Sequence, residues 1–111
     1  MKYYNLRKVY ELIDLDTAYI TKMIQVFLKE VPEDLDALNT MVTNQNYELA
    51  RSSLFKLKPN LELFGVPVTQ ELEQIEAWVE HKNITVEEEI DHLNKVIKKA
   101  CIGLKEDFKQ H

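Results

Sequence analysis

The sequence predicts an all-α protein: an antiparallel up-and-down four-helix bundle with a short extra N-terminal helix. Three observations carry this expectation. Apolar residues recur at spacings of three and four along nearly the whole chain, which is the helical period. Helix-breaking residues are scarce, with two glycines and three prolines in 111 residues. The segments separating the longer apolar stripes are Asn44-Gln45, Gly65-Val66-Pro67 and Lys82-Asn83-Ile84, and connections this short force neighbouring helices to run in opposite directions.

Each element follows from its stripe. Leu6, Val9, Tyr10 and Ile13 make a short amphipathic start. Asp16 offers a helix cap, and Ile20, Ile24, Phe27, Val31, Leu35, Leu38 and Val42 continue as one stripe, giving a helix over 17–43. Pro32 lies inside it and predicts a kink. Asn46 caps a third helix whose buried face holds Tyr47, Ala50, Leu54, Leu57, Leu61 and Phe64, with Gly65 as its stop. Pro59 predicts a bend or a missing backbone hydrogen bond within that helix. Val68, Leu72, Ile75 and Val79 mark a fourth helix. Thr85 with Glu88 reads as a capping box for the fifth, which carries Val86, Ile90, Leu93, Ile97, Ala100, Leu104 and Phe108. The whole span 1–111 reads as a single domain.

Charge and composition exclude several functions. Hydrophobic residues make up 45% and charged residues 30%, the balance of a chain that folds rather than one that stays disordered. The net charge of −5 argues against nucleic acid, whose phosphates call for clustered Lys and Arg; Arg51, Lys56 and Lys58 form only a local basic spot. The single cysteine, Cys101, cannot form an internal disulfide, and no Cys/His spacing suggests zinc. Charges in the first eight residues stand where a signal peptide has its apolar stretch, and no apolar run is long enough to span a bilayer. The expectation is a cytoplasmic monomer that binds neither nucleic acid nor membrane.

Candidate metal and nucleophile sites are weak. Glu89-Ile90-Asp91-His92 matches the Glu-x-x-His element of di-iron bundles, but that site needs two such elements and two further glutamates. No metal or other cofactor is therefore expected. His81, His92 and His111 read as ordinary surface histidines, and spacing sets no base beside Ser52 or Ser53. The acidic cluster Glu30, Glu33, Asp34 and Asp36 should run past Phe55 and Lys58, chiefly as a solvated face.

Phe55 does not fit the pattern. At about 100° per residue it stands a full step from Leu54, and its neighbours one turn away are Arg51, Ser52, Lys58, Pro59 and Glu62. Either helix one or two covers the ring, or it lies exposed among polar residues as a contact site.

The segment Leu54-Phe55-Lys56-Leu57-Lys58-Pro59-Asn60-Leu61-Glu62-Leu63-Phe64-Gly65 resembles the core motif of histidine-phosphotransfer (HPt) domains. That motif runs His-x-Leu-Lys-Gly, with Lys-Pro in some bacterial groups, and has a glycine ten residues after the histidine. Leu57, Lys58, Pro59 and Gly65 fall at matching places. Tyr4-x-Leu6, Asp16-x-x-Tyr19-Ile20, Phe27-Leu28-x-Glu30-Val31-Pro32 and Asn46-Tyr47 extend the likeness over nearly the whole chain.

The departure falls on the phospho-accepting histidine, whose position holds Phe55. Attack on an aspartyl-phosphate needs a lone pair on the nucleophile and a proton to lose, and a phenyl ring has neither. The resemblance thus implies a non-enzymatic module of two-component phosphorelay signalling that docks a receiver domain or a histidine kinase without taking phosphate. Its implied contact residues are Arg51, Ser52, Phe55, Lys56, Lys58, Pro59 and Glu62, and the small residues Ser52, Ser53, Pro59 and Gly65 would allow close approach of a receiver. Two alternatives stand beside it. Phe55 could be a variant or engineered residue in a competent phosphotransfer protein, or the chain could be a structural bundle unrelated to signalling with Phe55 in its core.

Overall fold

The computed structural model describes residues 2–14 and 16–108; His111 lies outside them. It is an all-α helical bundle of five helices: α1 Arg7–Leu12, α2 Thr17–Thr43, α3 Tyr47–Leu63, α4 Thr69–His81 and α5 Glu87–Asp107. The principal packing pairs are α2 with α3, α3 with α4, α4 with α5, and α5 back with α2. The stripes read from the sequence meet in one core. Phe27 and Phe64 stack at its centre, with ring centroids 4.3 Å apart, and Val9 of α1 is fully buried in the same cluster.

Two of the expected caps form. The Asp16 carboxylate accepts from the backbone N–H groups of Ala18 (3.0 Å) and Tyr19 (3.4 Å), and the Asn46 side chain accepts from Leu49 N–H (3.2 Å). These satisfy donors that a helix start leaves open. The Thr85–Glu88 capping box does not form. Val86 is the cap residue of α5 and no side chain caps it. Burial of Val86 starts the helix one residue later than the box requires, so Glu88 is the second helical residue instead of the third. Glu87, Glu88 and Glu89 in the first turn face the positive end of the helix dipole instead.

Both α2 and α3 continue as α-helix through their prolines. Each proline still removes one donor, so the carbonyls of Leu28 and Phe55 lose their partners four residues on. Between α2 and α5 the half-buried amides of Asn39 and Asn94 bond reciprocally, Asn39 Nδ2 donating to Asn94 Oδ1 (2.8 Å) and Asn94 Nδ2 to Asn39 Oδ1 (3.0 Å). Asn94 Nδ2 also donates to the Ile90 carbonyl (2.7 Å). No buried side-chain polar atom among the described residues lacks a partner, so this polar contact fixes how α2 and α5 meet without an unpaired group.

Both glycines receive the N-terminal segment. Gly65 has φ +61°, and a Cβ there would stand 2.7 Å from Asn5 Cβ and 2.9 Å from the Asn5 carbonyl oxygen. Asn5 N–H donates to the Phe64 carbonyl (2.7 Å). A Cβ on Gly103 would meet the Tyr4 ring at 3.1 Å, and the Tyr4 hydroxyl donates to Asp107. Residues 4 and 5 thus strap the α3–α4 turn to the last turns of α5. The close approach at Gly65 serves this strap. Gly65→Ala should therefore destabilise the fold by about 2 kcal/mol or more, from the left-handed backbone cost and the collision together. Thermal denaturation checks this; an unchanged melting temperature would refute the strap packing.

Candidate functional site

The 100° step between successive helical residues separates Leu54 from Phe55. Leu54 is 5% exposed and Phe55 79%, so neither α1 nor α2 covers the ring. Phe55 is the most exposed large apolar side chain described, and it borders a groove of about 540 Å³ between α3 and α4. Leu54, Phe55 and Pro59 line the groove from α3, and Ala77 and Val79 from α4.

Two ion pairs cross this groove, one on each side of Phe55. Arg51 Nη1 lies 3.0 Å from Glu80 Oε1, and Lys58 Nζ lies 2.9 Å from Glu76 Oε1. The hydrogen bond from Lys58 to Glu76, joined by the fields of Glu76, Glu62 and Glu73, raises the Lys58 pKa above its ordinary value. This ammonium is therefore charged throughout the physiological range. Its partner is on α4, not in the acidic cluster of α2. Lys58 stands about 60° round the helix from Phe55 on the α4 side, where Glu76 meets it.

The remaining contact residues read from the sequence divide. Arg51, Phe55, Lys58 and Pro59 line the groove, whereas Ser52, Lys56 and Glu62 are exposed on α3 outside it. The Ser52 hydroxyl is turned back on the Glu48 carbonyl (3.5 Å), and Ser53 is buried, so it offers nothing to a partner. The α4 residues Glu73, Glu76, Ala77 and Glu80 were missed from sequence. Their own spacing of three and four, one step round from Leu72, Ile75 and Val79, is the signal that could have found them.

Most other reactive side chains described are occupied or shielded, His81 being the exception. The His92 ring is bonded to the Glu71 carboxylate across α4 and α5. His81 is exposed in the last turn of α4. Cys101 is buried, which pushes its thiol pKa up and disfavours the thiolate. Trp78 is buried against Tyr47, with ring centroids 4.5 Å apart. Among the described residues no group of three or more His, Cys, Asp or Glu is placed to hold a metal ion, and no helix is long and apolar enough to cross a membrane.

Comparison with protein-family models, with curated proteins and with solved structures finds no match for this chain.

The two adjacent residues give a sharp stability contrast. Leu54→Ala should cost about 2–5 kcal/mol, while Phe55→Ala should stay within about 0.5 kcal/mol of the parent. Urea denaturation of the two variants measures both, and comparable losses would mean that Phe55 is a packing residue.

Proposed function

We propose that this chain is an HPt-like module of two-component phosphorelay signalling that docks a receiver domain or a histidine kinase without accepting phosphate. It acts as a cytoplasmic binding protein that blocks, buffers or scaffolds a relay, and not as an enzyme. The observation that carries the proposal is Phe55. It is 79% exposed on α3, at the position where the sequence likeness expects a projecting histidine, with Lys58 one turn on.

The architecture that suits this role is an antiparallel up-and-down bundle of α2 to α5. Connections of three to five residues between these helices support it. So does the order of the ion pairs, in which the earlier α3 residue Arg51 meets the later α4 residue Glu80 and Lys58 meets Glu76. The exposure of Phe55 also disfavours the alternative of an unrelated bundle with this ring in its core.

The chemistry of docking follows from the groove. Burying a phenylalanine ring is worth about 1.5–3 kcal/mol, enough to anchor a contact, while the flanking ion pairs give it a polar rim. Transfer fails for want of a nucleophile. Phe55→His would restore an imidazole one turn from a lysine whose charge can offset that developing on an incoming phosphoryl group.

Incubated with a phosphorylated receiver that binds it, the parent should acquire no acid-labile phosphate, whereas Phe55→His should acquire it at a detectable rate. Phe55→Asp should weaken receiver binding more than about tenfold, by loss of apolar contact and by repulsion from the receiver's acidic pocket. Labelling of the parent at His81 or His92 would contradict the proposal, and so would a Phe55→His variant that binds but stays unlabelled.

A further inference from the structure

Two cations flank Phe55 on α3, Arg51 one turn before it and Lys58 one turn after, and α4 engages both. Arg51 Nη1 lies 3.0 Å from Glu80 Oε1, and Lys58 Nζ lies 2.9 Å from Glu76 Oε1. Lys58 also stands in the fields of Glu62 on its own helix and of Glu73 on α4. Lys56 is adjacent in sequence, but it points about 100° away from Phe55 and lies outside the groove. Both cations that line the groove are therefore already paired.

We propose that Glu76 is a positioning residue, which holds the Lys58 ammonium against α4 and withholds it from any phosphoryl group at position 55. The proposal rests on the phosphorelay reading above and adds a second barrier to the missing nucleophile. Side chains three residues apart on a helix stand about 5–6 Å apart at Cβ, so an unpaired lysine here reaches an anion beside residue 55. Catalysis of phosphoryl transfer is largely positioning and electrostatic stabilisation of the phosphoryl oxygens. With Glu76 bonded to it and Glu62 and Glu73 close by, the single charge of Lys58 is outweighed by three carboxylates. Arg51 does not stand in for it, because Glu80 engages that guanidinium in the same way.

The pair is poorly placed to serve stability. Its side chains are 45% and 40% exposed, and exposed pairs add little to a fold. Glu76→Gln keeps the size of the side chain and removes its charge, so the helices should stay as they are while Lys58 is released. The Lys58 pKa should then fall towards the ordinary lysine value, because the hydrogen bond and the charge of Glu76 are the largest causes of its rise. A side-chain NMR titration of Lys58 in the parent and in Glu76→Gln reads this directly, and an unchanged titration overturns the proposal.

Phosphoramidate, a small phosphodonor for histidine, tests the consequence without any receiver, so failure here is distinct from failure to dock. In Phe55→His the imidazole nitrogen attacks phosphorus and forms an N–P bond. The P–N bond of phosphoramidate breaks, and the ammonia released leaves as ammonium with the imidazole proton. Site-resolved mass spectrometry gives the labelling rate at position 55, with N-acetylhistidine in the same solution as reference. Adding Glu76→Gln to Phe55→His should raise the relative rate about threefold or more. Adding Lys58→Ala to that pair should abolish the gain, with circular dichroism verifying that each variant is folded. A rate that Glu76→Gln leaves unchanged overturns the proposal. A gain that survives Lys58→Ala overturns it too, because Glu76 would then act by its own charge and not through Lys58.

Discussion

Helix α3 must satisfy two surfaces at once, and the angular step between its consecutive residues is the constraint on which the site rests. Ala50, Leu54, Leu57 and Leu61 turn inward, and Phe64 closes the stripe against Phe27. With that stripe fixed, Phe55 has nowhere to go but outward. The exposure of the ring is thus enforced by the core. Rotating α3 enough to bury Phe55 would carry Leu54 and Leu57 into water and place Arg51 and Lys58 among apolar neighbours, at a cost far above the gain from one ring.

The same rotation sets the electrostatics. Arg51 and Lys58 flank Phe55 on the side of α4, where Glu80 and Glu76 meet them. Exposed pairs of this kind add little to stability, about 0–1 kcal/mol each. Their consequence is geometric: they hold two long side chains beside the groove and leave its floor apolar. In the proposed docking, a partner would meet an aromatic centre with a rim of charges that can exchange partners on contact, a division of labour common in protein interfaces. Pro59 contributes as well, because the donor it lacks leaves the Phe55 carbonyl without its helical partner.

Most of the helices are legible in the sequence because their signals are local. The Asp16 and Asn46 caps, the glycine stop at Gly65 and the three-and-four spacing of the stripes each depend on a few neighbouring residues. The Thr85–Glu88 box misleads because Val86 is held by the core, a non-local contact that overrides a local preference. The candidate site is half legible. The azimuth of Phe55 relative to Leu54 can be counted along one helix, so spacing alone sets the ring off the core stripe. Which helix lies beside it cannot be counted that way. Lys58 bonds to α4 rather than to the acidic part of α2, and Glu73, Glu76 and Glu80 join the groove, only because of how α3 and α4 pack. Gly65 shows the same limit: its role as a helix stop is local, and its contact with Asn5 is not.

The central claim is that the groove beside Phe55 is where a signalling partner sits. Chemical-shift mapping of the isotopically labelled protein, titrated with receiver domains from the same genome, addresses this residue by residue. A receiver that binds should shift the amides of 51–62 on α3 and 73–80 on α4, with the largest change at or next to Phe55, and should leave the seam of α2 and α5 around Asn39 and Asn94 undisturbed. Perturbation centred on that seam, or no receiver binding at all, would contradict the account.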